Sequence, residues 1–514
     1  GSSGSPYLLT YTLKGEGGET WTPRFTYYGF RYAQVEGAVP EGEDGPAGAP
    51  RVPGLTMLHT RNSSPAVGSF SCSKELFNRA FALIDWAIRS NLASVPTDCP
   101  HREKLGWLEQ THLMGGSIQY NYRILTLYQK LVKDMMEAQL EDGLVPDIAP
   151  EYVPFLDGFR DSPEWGSAAV ILPWLLHEWY GDLETMEAAF PMMRRYVDYL
   201  ATKADGHILS HGLGDWYDLG PEFPGEAQLT PKAVTATAVF YRDLDLLSQM
   251  AAMLEKTGAA ADLRRRADEV RRAFNEAFFD AETKVYSTGS QTAFAMPLHF
   301  GMVDEKDRPE VFRNLVRSVR EGGGALTAGD VGFDYLLKAL EEGGASDLIC
   351  EMNAREDVPG YGFQLAKGAT ALTESWAARR EVSNNHMMLG HLMEWFYSGL
   401  AGIRQAPGSK GFETIEIKPH PVGDITWVKA RYRSIRGEIA SDWRVENGRF
   451  YADVTIPANA RAMVHIPASS GAAVTESGVS AAGAEGVTFI GMEGGRAVFA
   501  VGSGEYHFAG RLPK

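Results

Sequence analysis

The pattern of apolar and polar positions changes twice along the chain. Near the N-terminus, residues 7–13 and 21–35 are rich in aromatic and β-branched residues that alternate with polar ones, which is typical of β-strands. From Ser73 almost to Gly402, apolar residues recur at spacings of three and four, which predicts amphipathic helices. After Pro407 the strand pattern returns, with glycine turns between short alternating segments. A long helical region is therefore predicted between two β-regions.

About a dozen helices are predicted in the central region from the spacing of its apolar residues. They cover residues 73–92, 111–139 as one long element, 165–180, 183–203, 231–255, 259–277, 291–301, 305–321, 326–343, 345–353, 374–380 and 385–400. A run of helices this long, with little strand between them, excludes a doubly wound α/β sheet. Because no internal repeat of fixed period occurs, an open solenoid is disfavoured. The pattern favours helices packed on helices in a closed α/α barrel.

The C-terminal region is predicted to be an antiparallel β-domain. Its strands are expected at residues 412–418, 425–432, 449–456 and 462–466. The N-terminal region has too few strands for a whole β-sandwich, so it is predicted to be the closing part of one that begins upstream. Its glycine- and serine-rich start is interpreted as a tag or linker. The predicted division of the chain is 1–5 (tag or linker), 6–65 (β-sandwich segment), 66–405 (barrel) and 406–514 (β-sandwich domain).

Composition and charge exclude several classes of protein. With 44% hydrophobic and 22% charged residues, the chain has an ordinary globular composition. The net charge of −17 repels phosphate backbones and anionic lipids, so neither a nucleic acid nor a membrane is expected as a partner. The cysteines, Cys72, Cys99 and Cys350, are too scattered for a disulfide framework. Because zinc-ligand spacings are also missing from the sequence, we expect no metal and no cofactor.

The first cluster of candidate functional residues is the loop 96–110. It places Asp98, Arg102, Glu103 and Glu109 around Trp107. From the charges alone, a solvated loop with salt bridges explains the pattern as well as a site does. Two prolines stiffen the backbone, and an exposed tryptophan is costly unless it stacks on a ligand. These features shift the interpretation towards a site.

Two further loops pair an acidic residue with a tryptophan beside glycine or proline. They are 161–166, with Trp165, and 212–220, with Asp215 and Trp216. A tryptophan near the start of a helix more often belongs to the core. Three such pairs in one barrel nevertheless favour a sugar site, where aromatic faces stack on the sugar and carboxylates bind its hydroxyls.

A fourth cluster contains Glu374 in an apolar, almost uncharged segment, followed closely by His386. A carboxylate is costly in such surroundings unless it is hydrogen-bonded. Glu374 is therefore either a structural acceptor or a group whose pKa is adjusted for proton transfer.

These clusters carry a family resemblance. The segment Asp98-Cys-Pro-His-Arg-Glu-Lys-Leu-Gly-Trp107 resembles the signature loop of the α-L-rhamnosidases of glycoside hydrolase family 78. Further family motifs follow in the same order: Glu164-Trp-Gly, Gly214-Asp-Trp, Thr230-Pro-Lys, Gln291-Thr-Ala, Leu326-Thr-Ala-Gly and Gly368-Ala-Thr to Trp376. The resemblance covers essentially residues 20–465. It implies a mainly α protein, an (α/α)6 barrel flanked by β-sandwich domains, that hydrolyses terminal α-L-rhamnosides with inversion.

The resemblance also implies roles for individual residues. Glu103 would be the general acid and Glu374 the general base. The implied sugar-binding residues are Asp98, Arg102, Trp107, Glu109, Trp165, Asp215, Trp216 and His386. The partner would be a rhamnose-containing oligosaccharide or glycoside, no cofactor would be needed, and a homodimer is considered as the assembly.

The signature loop departs from the family pattern. One residue is missing between Arg102 and the Leu-Gly-Trp sequence, and Glu109-Gln110 stands where the family has a final aspartate. Asp98 is therefore an alternative to Glu103 as the acid. The sugar contact that the final aspartate of the family pattern makes is expected either to pass to Glu109 or to be lost.

Other function classes stay open at this point. A lyase that cleaves a rhamnosyl-uronate bond by β-elimination needs a base and a partner for the uronate carboxylate, for which His386, Arg102 and Tyr217 are candidates. A glycan-binding protein without catalysis would not need both Glu103 and Glu374. A helical scaffold for protein partners is disfavoured because the helices do not repeat.

Overall fold

The computed structural model describes residues 7–512, and the predicted tag or linker lies outside the described residues. A helical domain occupies the middle of the chain. Its helices are α1 (Glu75–Asn91), α2 (Glu109–Leu113), α3 (Gly115–Asn121), α4 (Leu125–Ala138), α5 (Pro163–Gly166), α6 (Ala168–Tyr180), α7 (Leu183–Lys203), α8 (Lys232–Met253), α9 (Thr257–Phe278), α10 (Gln291–His299), α11 (Arg308–Glu321), α12 (Asp330–Glu342), α13 (Ser346–Asn353), α14 (Tyr361–Ala366) and α15 (Leu392–Trp395), which continues as a π-helical turn, Phe396–Leu400.

The helices pack in a closed ring. Helix α6 packs on α7 and α8, α8 on α9 and α10, and α10 on α11 and α12. Helix α12 then contacts α15 and α2, and α2 contacts α6, which closes the ring. The inner helices α8 and α12 are buried along most of their length, whereas the outer helices α9 and α11 bury a single stripe. This difference is what two concentric layers of helices require.

The β-strands form two main sheets and two short pairs. The strands are β1 (Val39–Pro40), β2 (Arg51–Val52), β3 (Gly68–Cys72), β4 (Phe279–Asp280), β5 (Val285–Tyr286), β6 (Ile403–Gln405), β7 (Thr414–Ile417), β8 (Trp427–Ser434), β9 (Gly437–Glu446), β10 (Arg449–Ile456), β11 (Arg461–Pro467), β12 (Val474–Glu476), β13 (Val479–Ser480), β14 (Val487–Glu493), β15 (Arg496–Val501) and β16 (Gly504–Arg511). A seven-stranded sheet has the order β13-β12-β16-β10-β9-β8-β3, and a five-stranded sheet has the order β14-β15-β11-β7-β6. The strand ladders in these two sheets are antiparallel except for β7 with β11.

Strand β3 ties the barrel to the C-terminal sheet. It comes before the first helix, yet it pairs with β8 in the register Gly68↔Tyr432 to Cys72↔Val428. Beside it, the ring of Tyr120 stacks on Tyr397 at 5.0 Å and meets the edge of Tyr432 at 5.1 Å. The Tyr120 hydroxyl donates to the Ile403 carbonyl at 2.7 Å. The two domains therefore share one buried aromatic contact.

Several predicted helices need correction. Residues 374–380 form turns and no helix, because Glu374 and Ser383 bond each other across a loop. The predicted helix 385–400 begins only at Leu392, and the predicted element 111–139 is divided among α2, α3 and α4. The short helix α14 was not predicted, because six residues are too few to show a helical period.

The strands predicted at 7–13 and 21–35 are also not formed; among the described residues the first strand is β1. A strand needs a neighbouring strand to complete its ladder, and this segment instead makes isolated contacts, such as the Gly29 N–H donating to the Pro100 carbonyl. The four strands predicted in the C-terminal region are present as β7, β8, β10 and β11. Over residues 7–512, none of the helices combines the length and the apolar character needed to cross a membrane.

We predict that Gly68→Ala destabilises the protein. A Cβ atom at residue 68 would overlap the Tyr120 carbonyl oxygen and lie 2.6 Å from the Tyr397 hydroxyl, so the contact between β3 and the barrel would have to open. Overpacking of this kind costs about 1 to 3 kcal/mol of unfolding free energy. Gly502→Ala is the control, because a Cβ at residue 502 meets nothing within 4 Å. Equal denaturation midpoints for the two variants would show that the contact tolerates a methyl group.

Candidate active site

Asp98 closes the loop that carries Glu103. Its Oδ1 accepts the Leu105 N–H at 2.8 Å, and its own N–H donates to the Leu105 carbonyl at 3.0 Å. The side chain is 4% exposed. Burial, helped by the negative charge of Glu103, raises the pKa of Asp98 to about 7. Asp98 is therefore a structural acceptor whose carboxyl group has little access to a ligand.

Glu103 lies at the exposed tip of this loop. The indole Nε1–H of Trp107 donates to Glu103 Oε2 at 3.1 Å, and the Glu103 N–H donates to the Cys99 sulfur at 3.4 Å. Trp107 is 9% exposed. Trp107 thus orients the Glu103 carboxylate, while Glu103 keeps access to a substrate.

Glu374 lies on a second loop. It is half-buried, and its Oε2 accepts the Ser383 N–H at 2.8 Å. Burial raises the pKa of Glu374, and the Ser383 N–H and the Arg102 guanidinium oppose this shift. The phenol of Tyr217 lies beside the carboxylate, since burial and the Glu374 charge together raise the pKa of Tyr217. Glu374 therefore retains its proton to a higher pH than an exposed glutamate.

Arg102 connects the two loops. Its Nη1 donates to the Glu381 carbonyl at 2.9 Å, seven residues after Glu374. Its charge acts on Glu374 and also on His386. Burial, together with Arg102, lowers the pKa of His386 to about 4, against the opposing influence of Glu103. His386 is thus neutral near pH 7, and its Nδ1 accepts the Met388 N–H at 3.3 Å, which leaves the proton on Nε2.

An aromatic wall, formed by Trp107, Phe155, Phe159 and Trp216, stands beside Glu103. The Trp107 ring is 5.1 Å from Phe155 and 6.4 Å from Phe159. Phe159 in turn meets the half-buried Trp216 edge-on at 5.6 Å. Sequence reasoning identified the two tryptophans and missed the two phenylalanines. The available signal was the group of aromatic and aliphatic residues in the loop 152–159, which the structure leaves largely exposed.

Besides Asp98, Trp107 and His386, three other candidate sugar-binding residues lie in buried positions: Trp165, Asp215 and Glu109. Trp165 is 2% exposed, which corrects its expected place in a pocket wall to one in the core. Asp215 is fully buried, and its carboxylate accepts the Gly329 N–H at 3.0 Å, the Gly332 N–H at 2.7 Å and the Thr292 hydroxyl at 2.5 Å. Asp215 therefore ties its loop to the start of α12, and we correct its expected sugar contact to this structural role.

Glu109, the third of these residues, is 3% exposed. Its Oε1 accepts the side-chain amide of Gln110 at 3.1 Å, while among the described residues Oε2 has no partner. Burial raises the pKa of Glu109 to about 8, and the charge of Asp98 acts in the same direction. Glu109 was expected to take over the sugar contact of the family aspartate, but in the structure its carboxyl group is buried and bonds Gln110.

The site contains carboxylates but no cluster that resembles a metal centre. Across residues 7–512, no three His, Cys, Asp or Glu side chains are grouped as metal ligands. What the site offers is two accessible carboxyl groups in unlike environments, one exposed and one half-buried, with an arginine between their loops and an aromatic wall beside them. In an α/α barrel, this combination is the arrangement of a carbohydrate-active domain.

Comparison with protein families identifies the domain. The family model of the bacterial alpha-L-rhamnosidase 6 hairpin glycosidase domain matches residues 65–400. The models of the bacterial alpha-L-rhamnosidase C-terminal domain and concanavalin-like domain match residues 402–481 and 7–51. The chain belongs to the bacterial α-L-rhamnosidase family. The resemblance seen in the sequence and the predicted fold class are confirmed.

Individual relatives agree with this assignment. The chain is 32% identical over 511 residues to an alpha-L-rhamnosidase of Streptomyces avermitilis, covering 97% of this chain and 46% of the relative. It is 28% identical over 468 residues to an alpha-L-rhamnosidase of Formosa agariphila, covering 89% and 49%. The chain thus spans about half the length of the curated relatives it matches.

Solved structures share the fold. The alpha-L-rhamnosidase from Dictyoglumus thermophilum aligns with a TM-score of 0.82 at 29% identity, covering 89% of this chain and 52% of that one. The Streptomyces avermitilis alpha-L-rhamnosidase complexed with L-rhamnose aligns with a TM-score of 0.80 at 30% identity, covering 87% and 42%.

We predict different effects for two tryptophan substitutions, one mainly on activity and the other mainly on stability. Trp216→Ala should lower activity with little change in melting temperature, because the ring is half-buried in the aromatic wall. Trp165→Ala should cost about 3 to 5 kcal/mol of stability, since it empties a core position. Thermal denaturation and turnover of an α-L-rhamnoside measure both effects. A large loss of stability for Trp216→Ala would place that ring in the core as well.

We also predict a pH effect of Asp98 on stability. Its pKa of about 7 in the folded protein lies above the ordinary aspartate pKa of 3.8, so the folded state holds a proton that the unfolded state releases between these pH values. Relative to Asp98→Asn, the wild-type protein should therefore lose on the order of 1 kcal/mol of unfolding free energy per pH unit as the pH rises from about 4 to 7. Urea denaturation at several pH values measures the difference. Parallel stability curves would contradict the prediction.

Proposed function

We propose that this chain is the catalytic portion of an enzyme that releases terminal α-L-rhamnose from oligosaccharides or glycosides by inverting hydrolysis. The observation that carries the proposal is the pairing of two loops through Arg102, with Glu103 exposed on one and Glu374 half-buried on the other. The similar structure of the Streptomyces avermitilis alpha-L-rhamnosidase, which is complexed with L-rhamnose, supports rhamnose as the sugar released.

In the proposed reaction, Glu103 donates a proton to the leaving-group oxygen. Its exposed position at the loop tip lets it reach the glycosidic oxygen, and the Trp107 indole fixes its direction. Asp98, the alternative acid, accepts a backbone N–H with its carboxylate and is 4% exposed, so it is less able to reach a substrate. We therefore assign the acid to Glu103.

Glu374 is proposed to deprotonate the attacking water. Arg102 and the Ser383 N–H stabilise its ionised form, whereas burial keeps it basic enough to accept a proton. Arg102 is proposed to donate to a sugar hydroxyl, and Trp107 and Trp216 to cover an apolar face of the ring. The sugar contact expected of His386, whose side chain is 5% exposed, stays a prediction. For inversion, we expect the Glu103 and Glu374 carboxyl groups to be about 6.5 to 9.5 Å apart in a rhamnose complex, which leaves room for the water.

The proposal predicts different behaviour for the two glutamates. Glu103→Gln should slow a rhamnosyl sugar by about 100-fold or more and p-nitrophenyl α-L-rhamnoside much less, because a nitrophenolate departs without full protonation. Glu374→Gln should slow both substrates alike, since each needs the activated water. Glu438→Gln, an exposed carboxylate of the C-terminal sheet, is the control.

The products decide among the alternatives. Initial release of β-L-rhamnose, followed by proton NMR, supports inversion, and release of the α-anomer contradicts it. Unsaturated product from a rhamnosyl-glucuronate disaccharide, seen by ultraviolet absorbance, would instead indicate a lyase. Binding of rhamnose without turnover of either substrate would indicate a glycan-binding protein. The homodimer considered from the sequence stays a prediction.

A further inference from the structure

The loop that carries Glu103 has little internal support. Residues 97–106 lie between the bridge at Pro96 and the start of α2, and they form turns and irregular backbone. Inside the loop, the carboxylate of Asp98 holds Leu105, and Trp107 holds the Glu103 side chain. A general acid must be held within a fraction of an ångström of its productive position, because a displacement of about 1 Å can cost 100-fold in rate. Further anchors must therefore come from outside the loop.

Two of these anchors come from the N-terminal segment. The Gly29 N–H donates to the Pro100 carbonyl at 2.9 Å. The Lys104 ammonium donates to the Tyr27 carbonyl at 3.0 Å and lies 5.1 and 4.8 Å from the ring centres of Tyr27 and Tyr28. One contact is thus made on each side of Glu103.

The same segment also reaches the loop of Glu374. The Nη2 of Arg31 donates to the Thr370 hydroxyl at 3.1 Å, four residues before Glu374. Residues 27–29 are half-buried, whereas residues 24–26 and 30–36 are exposed. Within residues 24–36, the half-buried residues 27–29 and the side chain of Arg31 therefore contact the two loops that carry the proposed acid and base.

Gly29 permits this close approach. A Cβ atom at residue 29 would lie 2.9 Å from His101 Cβ and 3.1 Å from Pro100 Cγ, closer than ordinary van der Waals contact. Lys104 has a positive φ of 60°, an uncommon backbone conformation for a lysine. The contacts of its ammonium with Tyr27 and Tyr28 stabilise the loop and offset part of the free-energy cost of that backbone conformation.

We propose that residues 27–31, which we call the strap, position Glu103 relative to Glu374. The strap lies within residues 7–51, which match the concanavalin-like domain model, so this domain would contribute directly to the geometry of the active site. Lys104, Gly29 and Arg31 are positioning residues, because they act through the loops and need not touch the substrate. This inference rests on the proposed function for its catalytic part, and on the contacts alone for its structural part.

The structural part is tested by hydrogen exchange, which needs no substrate. Gly29→Val and Lys104→Met should each make the backbone amides of residues 98–105 exchange about 5-fold faster, the change in open population that accompanies loss of one hydrogen bond. Arg31→Ala should do the same for residues 368–376. Arg24→Ala, in the exposed part of the same segment, is the control. Unchanged exchange in both loops would overturn the strap, whether or not the protein proves to be a rhamnosidase.

The catalytic part is tested with two substrates. Lys104→Met should lower kcat about 10-fold for a rhamnosyl sugar and less than about 2-fold for p-nitrophenyl α-L-rhamnoside, with KM unchanged, because only the first needs a well-placed acid. Lys104→Arg should restore most of the rate, since it keeps a cation over the two rings. A merely destabilised protein would lose both activities together and would not show this ratio.

Failure of the strap proposal and failure of the proposed rhamnosidase function give different results. If the wild-type protein cleaves neither substrate, the proposed function fails, and the exchange result still decides whether the strap exists. If the wild-type protein is active and the ratio of rates in Lys104→Met equals that of the wild type, the strap does not position the acid.

Discussion

Buried and half-buried carboxylates hold the loops at the site in place by accepting backbone N–H groups. Asp98 closes the loop of Glu103, Asp215 ties its own loop to the start of α12, and Glu374 accepts the Ser383 N–H. Asp218 accepts Gln228 and Leu229, and Asp147 accepts Ser162, in the same manner. Since these loops lack regular hydrogen bonding, carboxylates that accept their backbone N–H groups take the place of a strand ladder, and Asp215 and Asp218 each accept two such groups.

Burial raises the pKa of the carboxyl groups that hold these loops. Burial raises the pKa of Asp98 and of Asp215 to about 7, and that of Asp147 well above its usual range. Burial also raises the pKa of Glu374, and there the Ser383 N–H and the charge of Arg102 oppose the shift. Accessibility therefore distinguishes Glu103 and Glu374, which are proposed to act on a substrate, from the carboxyl groups that are buried in structural roles.

The site also depends on elements far from it in sequence. The barrel brings the loops of Glu103 and Glu374 together, Arg102 bonds the second loop directly, and residues 27–31 contact both. At the other side of the domain, β3 and the stacked tyrosines 120 and 397 connect the helices to the C-terminal sheet. Each of these connections joins segments that are far apart in the sequence, so local sequence patterns do not predict them.

Local periodicity was sufficient where an element buries a regular face. The long helices such as α8 and the strands β8 and β10 repeat their apolar residues often enough to define their type, and the acidic and aromatic loop motifs were sufficient to indicate the family. Periodicity failed at residues 374–380, where a side chain bonds the backbone nine residues on, and at residues 21–35, whose strand-like composition finds no partner strand.

The sequence by itself determined the class of fold and the family, and it nominated Glu374 as the base and Glu103, with Asp98 as the alternative, as the acid. Only the tertiary structure decided which acidic and aromatic residues are accessible: it buried Asp215, Trp165 and Glu109, left Glu103 exposed, and added Phe155 and Phe159 to the aromatic wall. The physical reason is that residue type and spacing report what a side chain can do, whereas its burial and partners depend on segments that meet only when the barrel closes.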